Sequence, residues 1–162
     1  MSEALRVVLD YDLLAADVLW PKGRAPGILP LALDGRIHAT FDPQMLKSYT
    51  TLLCDSELGL DPDDVVELID SLTRNGCCVR TRRPSSVPGL SDPDRRLLAC
   101  AVAGRADALI SMRPERFGHS RVRNVSIVDP SRFNALFISR ISLPPQEGAD
   151  TIGPTIEVGE CP

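Results

Sequence analysis

Short apolar runs alternate along this chain with stretches whose apolar residues recur every three or four positions, and the order of the two patterns sets the expected fold. Arg6 to Asp10 is a strand-like run with Val7, Val8 and Leu9 at its centre, and Leu13-Leu14-Ala15-Ala16 with Val18-Leu19 then suits a helix. Trp20-Pro21-Lys22-Gly23 breaks that helix, and a second is expected from about Ala25 to Asp34, ending at Gly35. Arg36 to Phe41 alternates like a half-buried strand, and Asp42-Pro43 reads as an N-cap with proline at the first helical position. The helix that follows carries Met45, Leu46, Tyr49, Leu52 and Leu53 on one face and closes by Gly59.

The second half repeats the alternation. Asp61-Pro62-Asp63-Asp64 caps a helix striped by Val65, Leu68, Ile69 and Leu72, and Asn75-Gly76 stops it. Cys77 to Thr81 reads as a buried strand, Pro84 to Gly89 as a loop. Asp92-Pro93-Asp94 opens a helix bearing Leu97, Leu98, Ala101 and Val102, which stops near Gly104. Strands follow at Asp107 to Ser111 and Val125 to Val128, and Asp129-Pro130-Ser131 starts a last helix through Phe133 and Leu136. Strands separated by helices predict an α/β domain with a largely parallel sheet.

Length fits one such domain: 162 residues allow a substantial core and are too few for two ordinary domains. We assign residues 1–141 to it. From Ser142 the chain turns rich in proline and glycine without a period, so 142–162 is read as a C-terminal extension, docked on the domain or on a second copy, with Thr155 to Val158 as a possible added strand. Aromatic residues are 4% of the chain, so the core is expected to be aliphatic. The five cysteines, at 54, 77, 78, 100 and 161, form no C-x-x-C pair; they fit small, mostly buried thiols, with Cys161 exposed, better than a disulfide framework or a zinc site. No apolar run approaches the roughly 18 residues of a spanning helix, and Met1-Ser2-Glu3 does not begin a signal peptide, so a cytoplasmic protein without a membrane role is expected. A net charge of −4 argues against nucleic-acid binding driven by total charge and leaves room for a local basic face.

Ligands of open parallel sheets gather beyond the carboxyl ends of the strands. Asp10 and Asp12 follow the first strand, Asp94 begins a later helix, and Ser111 ends a strand pointing to the same rim. Carboxylates that converge there hold Mg²⁺ or Mn²⁺, and the metal activates water against a phosphodiester. The simpler reading of Asp94 is a helix cap. Arg80, Arg82 and Arg83, and Arg113, Arg116, Arg121 and Arg123 with His119, are clusters that either track phosphates or form a solvated face. His38, beside Ile37 and Phe41, is expected to be structural, and Trp20 to pack at a helix end.

Several segments together resemble PIN domains, in particular the bacterial branch of VapC-like toxins. They are Val7-Val8-Leu9-Asp10, Leu19-Trp20-Pro21, Ala32-Leu33-Asp34-Gly35, Asp42-Pro43-Gln44-Met45-Leu46, Asp92-Pro93-Asp94 with Leu97-Leu98, Ala106-Asp107-Ala108-Leu109-Ile110-Ser111 and Val125-Ser126-Ile127-Val128-Asp129-Pro130. The resemblance covers about residues 5 to 137. It implies a three-layer α/β/α fold with a largely parallel central sheet, acids around a divalent metal that hydrolyses RNA, self-association, and an antitoxin or other protein partner. Asp10 and Asp94 match two family acids. Ser48 falls where the family has a glutamate, and Ser111-Met112-Arg113 where it has threonine-glycine-aspartate; Tyr11 and Asp12 stand where the branch has threonine or serine and then asparagine. An arginine beside two carboxylates competes with a cation, so Arg113 is expected to pair with Asp10 or Asp94 and block the site. The expected function is then a degenerate PIN-like domain, impaired in metal binding and catalysis, that binds RNA through Arg113, Arg116, Arg121 and Arg123 or binds a protein. The alternative is an active Mg²⁺- or Mn²⁺-dependent endoribonuclease in which Asp12 and Glu115 join Asp10 and Asp94.

Overall fold

Residues that are apolar on consecutive positions can satisfy a strand only if both faces of the sheet are covered, and that is where they lie. In the computed structural model, which describes residues 4–20, 27–81 and 87–141, β1 (Arg6–Leu9) is central. Val7, Val8 and Leu9 are all buried, as expected of a parallel strand between two helical layers. It pairs in parallel with β2 (His38–Phe41) and β4 (Ala108–Ile110), with Val7 opposite both Ala39 and Ala108 and Leu9 opposite Ile110. Outward, β3 (Cys77–Cys78) lies beside β2, β6 (Val125–Val128) beside β4, and the two-residue β5 (Arg121–Val122) closes the far edge antiparallel to β6. The sheet order is β3-β2-β1-β4-β6-β5.

The helices are α1 (Tyr11–Leu19), α2 (Ile28–Leu33), α3 (Pro43–Leu53), α4 (Pro62–Arg74), α5 (Asp92–Ala103) and α6 (Pro130–Phe137). Helices α1 and α4 each touch both α2 and α3, while α5 packs on β1, β2 and β4 and α6 on β4. The molecule is thus a three-layer α/β/α domain with a mostly parallel sheet, as the alternation predicts. Leu97, Leu98, Cys100 and Ala101 of α5 and Leu13 and Leu14 of α1 are buried in the same aliphatic core.

Each proline-led helix starts as expected. Asp42 caps α3 by accepting from the Met45 amide at 2.7 Å, and Asp129 caps α6 through the Arg132 amide at 2.7 Å. In α5 the cap is Ser91, one residue before Asp92, and its hydroxyl accepts from the Asp94 amide. The expected helix up to Gly59 ends earlier, at Leu53, and a single 3₁₀ turn, Ser56–Leu58, leads to Gly59 in the left-handed region. Trp20 is 67% exposed and does not serve as the packing anchor expected of it. Only Cys100 matches the expected buried thiol: Cys54 and Cys78 are exposed, and Cys77 is disulfide-bonded. Cys161, the extension from Ser142 and the proposed strand at 155–158 lie outside the described residues. Among those residues, no helix is long and apolar enough to cross a membrane.

Candidate functional site

Four parallel strands end on the same rim, and the residue after each is polar: Asp10 after β1, Asp42 after β2, Ser111 after β4 and Asp129 after β6. Asp10 is the most enclosed carboxylate among them, with 1% of its surface accessible. Its amide continues the ladder to Ile110 at 3.0 Å, which holds the side chain at the sheet's edge. One carboxylate oxygen, Oδ1, accepts from the Tyr11 amide at 2.7 Å, so Asp10 is also the N-cap of α1. The other, Oδ2, accepts from the Ser111 hydroxyl at 2.6 Å.

The remaining partner of Oδ2 is a guanidinium, and it belongs to Arg116. Arg116 Nη2 hydrogen-bonds Asp10 Oδ2 and lies 3.2 Å from Asp94 Oδ1, so one cation spans both acids. Asp94 reaches the rim from the first turn of α5. The placement of Arg116 follows from its local chain: after Arg113 the backbone makes a 3₁₀ turn over Pro114–Phe117, which ends at Gly118 with φ 71°. Phe117 is buried and anchors that turn, and the Arg116 guanidinium passes 5.5 Å from its ring centroid on the way inward. Arg113 was the residue expected there. Its side chain is instead largely exposed, with Nε 3.9 Å from Asp12 Oδ2, while its backbone amide donates to the Ser111 hydroxyl at 3.0 Å. The difference arises because a 3₁₀ turn, not an extended strand end, follows Ser111; it carries residue 113 outward and brings residue 116 back.

Charge and burial oppose each other at Asp10. Burial pushes its carboxyl above the ordinary carboxylate range and the Asp12 charge adds to this, whereas the Ser111 hydroxyl, the Arg116 guanidinium and the Tyr11 amide pull it down. Asp12 is held from another side, accepting from the Met112 amide at 3.2 Å. Ser48 hydrogen-bonds the Tyr11 hydroxyl, and the Tyr11 ring meets Tyr49 edge-on at 5.3 Å. Tyr49 is buried and its hydroxyl donates to the Leu9 carbonyl, which ties α3 to the end of β1. Glu115 is exposed on the 3₁₀ turn.

This donor set does not fit a divalent cation. Both Asp10 oxygens are committed to donors, the Asp94 oxygen facing Asp10 is taken by the same guanidinium, and Ser48, beside Tyr11, is uncharged. Among the described residues, no three His, Cys, Asp or Glu side chains are grouped so as to hold a metal ion. Asp10 and Asp94 thus share one guanidinium, that of Arg116. Of the four arginines expected to meet RNA, Arg116 faces inward. Arg121 and Arg123 are exposed at the β5 edge, four strands from β2, with Arg121 Nε donating to the Arg123 carbonyl at 3.2 Å. Comparisons with models of protein families, with curated proteins and with solved structures found no match.

Proposed function

We propose that this chain is a PIN-like domain, related to toxin-antitoxin ribonucleases, in which an internal cation has replaced the metal, so that metal binding and phosphodiester hydrolysis are impaired and the domain acts by binding RNA or a protein partner. One observation carries the reading: the Arg116 guanidinium spans Asp10 and Asp94. It supplies the positive charge that two facing carboxylates require, it has no deprotonated state at physiological pH, and its planar fork suits carboxylates. The order of landmarks from β1 to α6 supports the family assignment, and self-association is part of the same proposal.

The test is calorimetric titration of Mn²⁺ into the full chain and into Arg116→Ala, alongside incubation of both with a mixed RNA substrate. The wild-type chain is expected to take up no Mn²⁺ in the micromolar range and to leave the RNA intact, and Arg116→Ala to gain Mn²⁺ affinity as Asp10 and Asp94 are freed. Micromolar Mn²⁺ binding by the wild type, with RNA cleavage abolished by Asp94→Asn, refutes the proposal and establishes a rearranged nuclease site.

A further inference from the structure

We propose that the cleft at the carboxyl ends of β2 and β3 is a phosphate-binding site, separate from the Asp10 and Asp94 pair. The cleft has a volume of about 490 Å³ and is lined by Asp42, Lys47, Arg80, Thr81 and Arg96 together with the first residues of α3. Its three cations come from three different pieces of chain: Lys47 from α3, Arg80 from the segment after β3, and Arg96 from α5. The Val79 amide donates to the Phe41 carbonyl at 2.8 Å, which extends the pairing of the edge strand and fixes where Arg80 and Thr81 emerge.

Three cations face one carboxylate, in a chain whose net charge is −4. That carboxylate is already engaged: Asp42 Oδ1 accepts from the Met45 amide at 2.7 Å, and Oδ2 lies 3.4 Å from Arg96 Nη1. With a side chain only 3% exposed, Asp42 positions Arg96, and that pairing offsets its charge, which leaves Lys47 and Arg80 as the cleft's uncompensated cations. Lys47 and Arg80 are exposed, and neither forms an ion pair among the described residues. The Thr81 hydroxyl is buried with no hydrogen-bond partner apart from the weakly accepting Cys100 thiol. Ammonium and guanidinium groups offer donors and no acceptors, so the complement is an anion with several oxygens. A phosphate meets three converging cations and a hydroxyl; a carboxylate has two oxygens in one plane and satisfies fewer of them.

The phosphate has two possible sources with the same chemistry, a free phosphate compound or a phosphodiester in an RNA strand. The strand is suggested by position. Arg96 lies two residues from Asp94 on α5, and Asp42 follows β2, the strand adjacent to β1 and Asp10, so a strand lying along the rim places one phosphate in the cleft. This part rests on the RNA-binding reading given above.

Two ligands separate the questions. Pyrophosphate is titrated calorimetrically, and a short single-stranded oligoribonucleotide by fluorescence anisotropy at several salt concentrations, into the wild type, Lys47→Ala/Arg80→Ala, Thr81→Val and, as a control on the opposite sheet edge, Arg121→Ala/Arg123→Ala. The cleft double variant is expected to lose pyrophosphate affinity by about tenfold or more and to reduce the salt slope of oligonucleotide binding by about one for each cation removed. Thr81→Val is expected to weaken pyrophosphate binding without changing the melting temperature, and the Arg121/Arg123 variant to bind pyrophosphate as the wild type does. Pyrophosphate binding that is absent, or equal in wild type and cleft variant, overturns the site. Pyrophosphate binding lost in the cleft variant, with no oligonucleotide bound by the wild type, retains the site and refutes RNA binding. Oligonucleotide binding that depends on Arg121 and Arg123 and ignores the cleft retains RNA binding and refutes an RNA strand as the source of the phosphate in the cleft.

Discussion

Removing the Arg116 side chain tests directly whether it acts as the counter-ion of the rim. In Arg116→Ala, Asp10 keeps the Ser111 and Tyr11 hydrogen bonds but loses its charge partner in a position 1% exposed. Deleting one member of a buried ion pair costs about 3–5 kcal/mol. Here the Arg116 side chain is 28% exposed and that of Asp94 13%, which screens the interaction, and Asp10 can take up a proton, so about 2 kcal/mol is expected at pH 7. With urea slopes of about 1–3 kcal/mol per molar, the unfolding midpoint falls by about 1 M. The pH dependence has a definite sign. The folded-state pKa of Asp10 is already raised, so the cost of its charge is absent below the unfolded carboxylate range near about 3.9, builds as pH rises from there to the folded value and is constant above it. Loss of Arg116 raises the folded value further; the destabilisation is therefore largest at neutral pH and shrinks on acidification. Urea unfolding at pH 7 and pH 4.5, in a double-mutant cycle with Asp10→Asn, measures both effects, with a coupling energy of about 1–2 kcal/mol expected between the two sites. A loss below about 0.5 kcal/mol at pH 7, or strict additivity with Asp10→Asn, refutes the counter-ion role.

Two further predictions concern the frame that holds the rim. A Cβ at Gly76 would lie 2.6 Å from the Ala39 carbonyl oxygen, 2.6 Å from Phe41 Cε1 and 2.7 Å from the Leu72 carbonyl oxygen, so Gly76→Ala is expected to cost about 3 kcal/mol by overpacking; a change under about 1 kcal/mol in urea unfolding contradicts this contact. Burial and the Arg6 charge push the His38 imidazole below its ordinary range, so the folded state favours neutral His38. Its contribution is present above about pH 6.5 and is lost as pH falls through the lowered folded value; His38→Gln is expected to flatten the stability profile between pH 7.5 and pH 5.5, and identical profiles for variant and wild type refute the assignment.

The parts of the fold that were legible in the sequence are those where burial leaves a strong pattern. β1 from Val7 and β4 are continuous apolar runs, and β6 is one interrupted only by Ser126, because helices cover both faces of the sheet, and α3, α4 and α6 begin at Asp-Pro pairs whose capping chemistry is local. The two-residue β5 was not legible, since its pairing with β6 depends on tertiary context and its residues, Arg121 and Val122, carry no strand period. The same division holds at the rim. Asp10 and Asp94 could be brought together by counting elements, since strand ends and helix starts have defined places in a parallel sheet. Which arginine lies between them could not, because the path after Ser111 turns on one 3₁₀ turn anchored by Phe117; Pro114 and Gly118 were its available signals. The basic cleft was hidden for a similar reason, since Lys47, Arg80 and Arg96 are separated by long stretches of chain and meet only through sheet order.

The capping role of the strand-end acids bears on how such acids are to be interpreted. Asp10 orders the first turn of α1 just as Asp42 and Asp129 order α3 and α6, so a chain released from any catalytic duty still gains folding stability by keeping them. A carboxylate at a strand end is therefore not by itself a sign of catalysis. The more telling feature is a cation able to reach the rim, here Arg116, six residues beyond the end of β4.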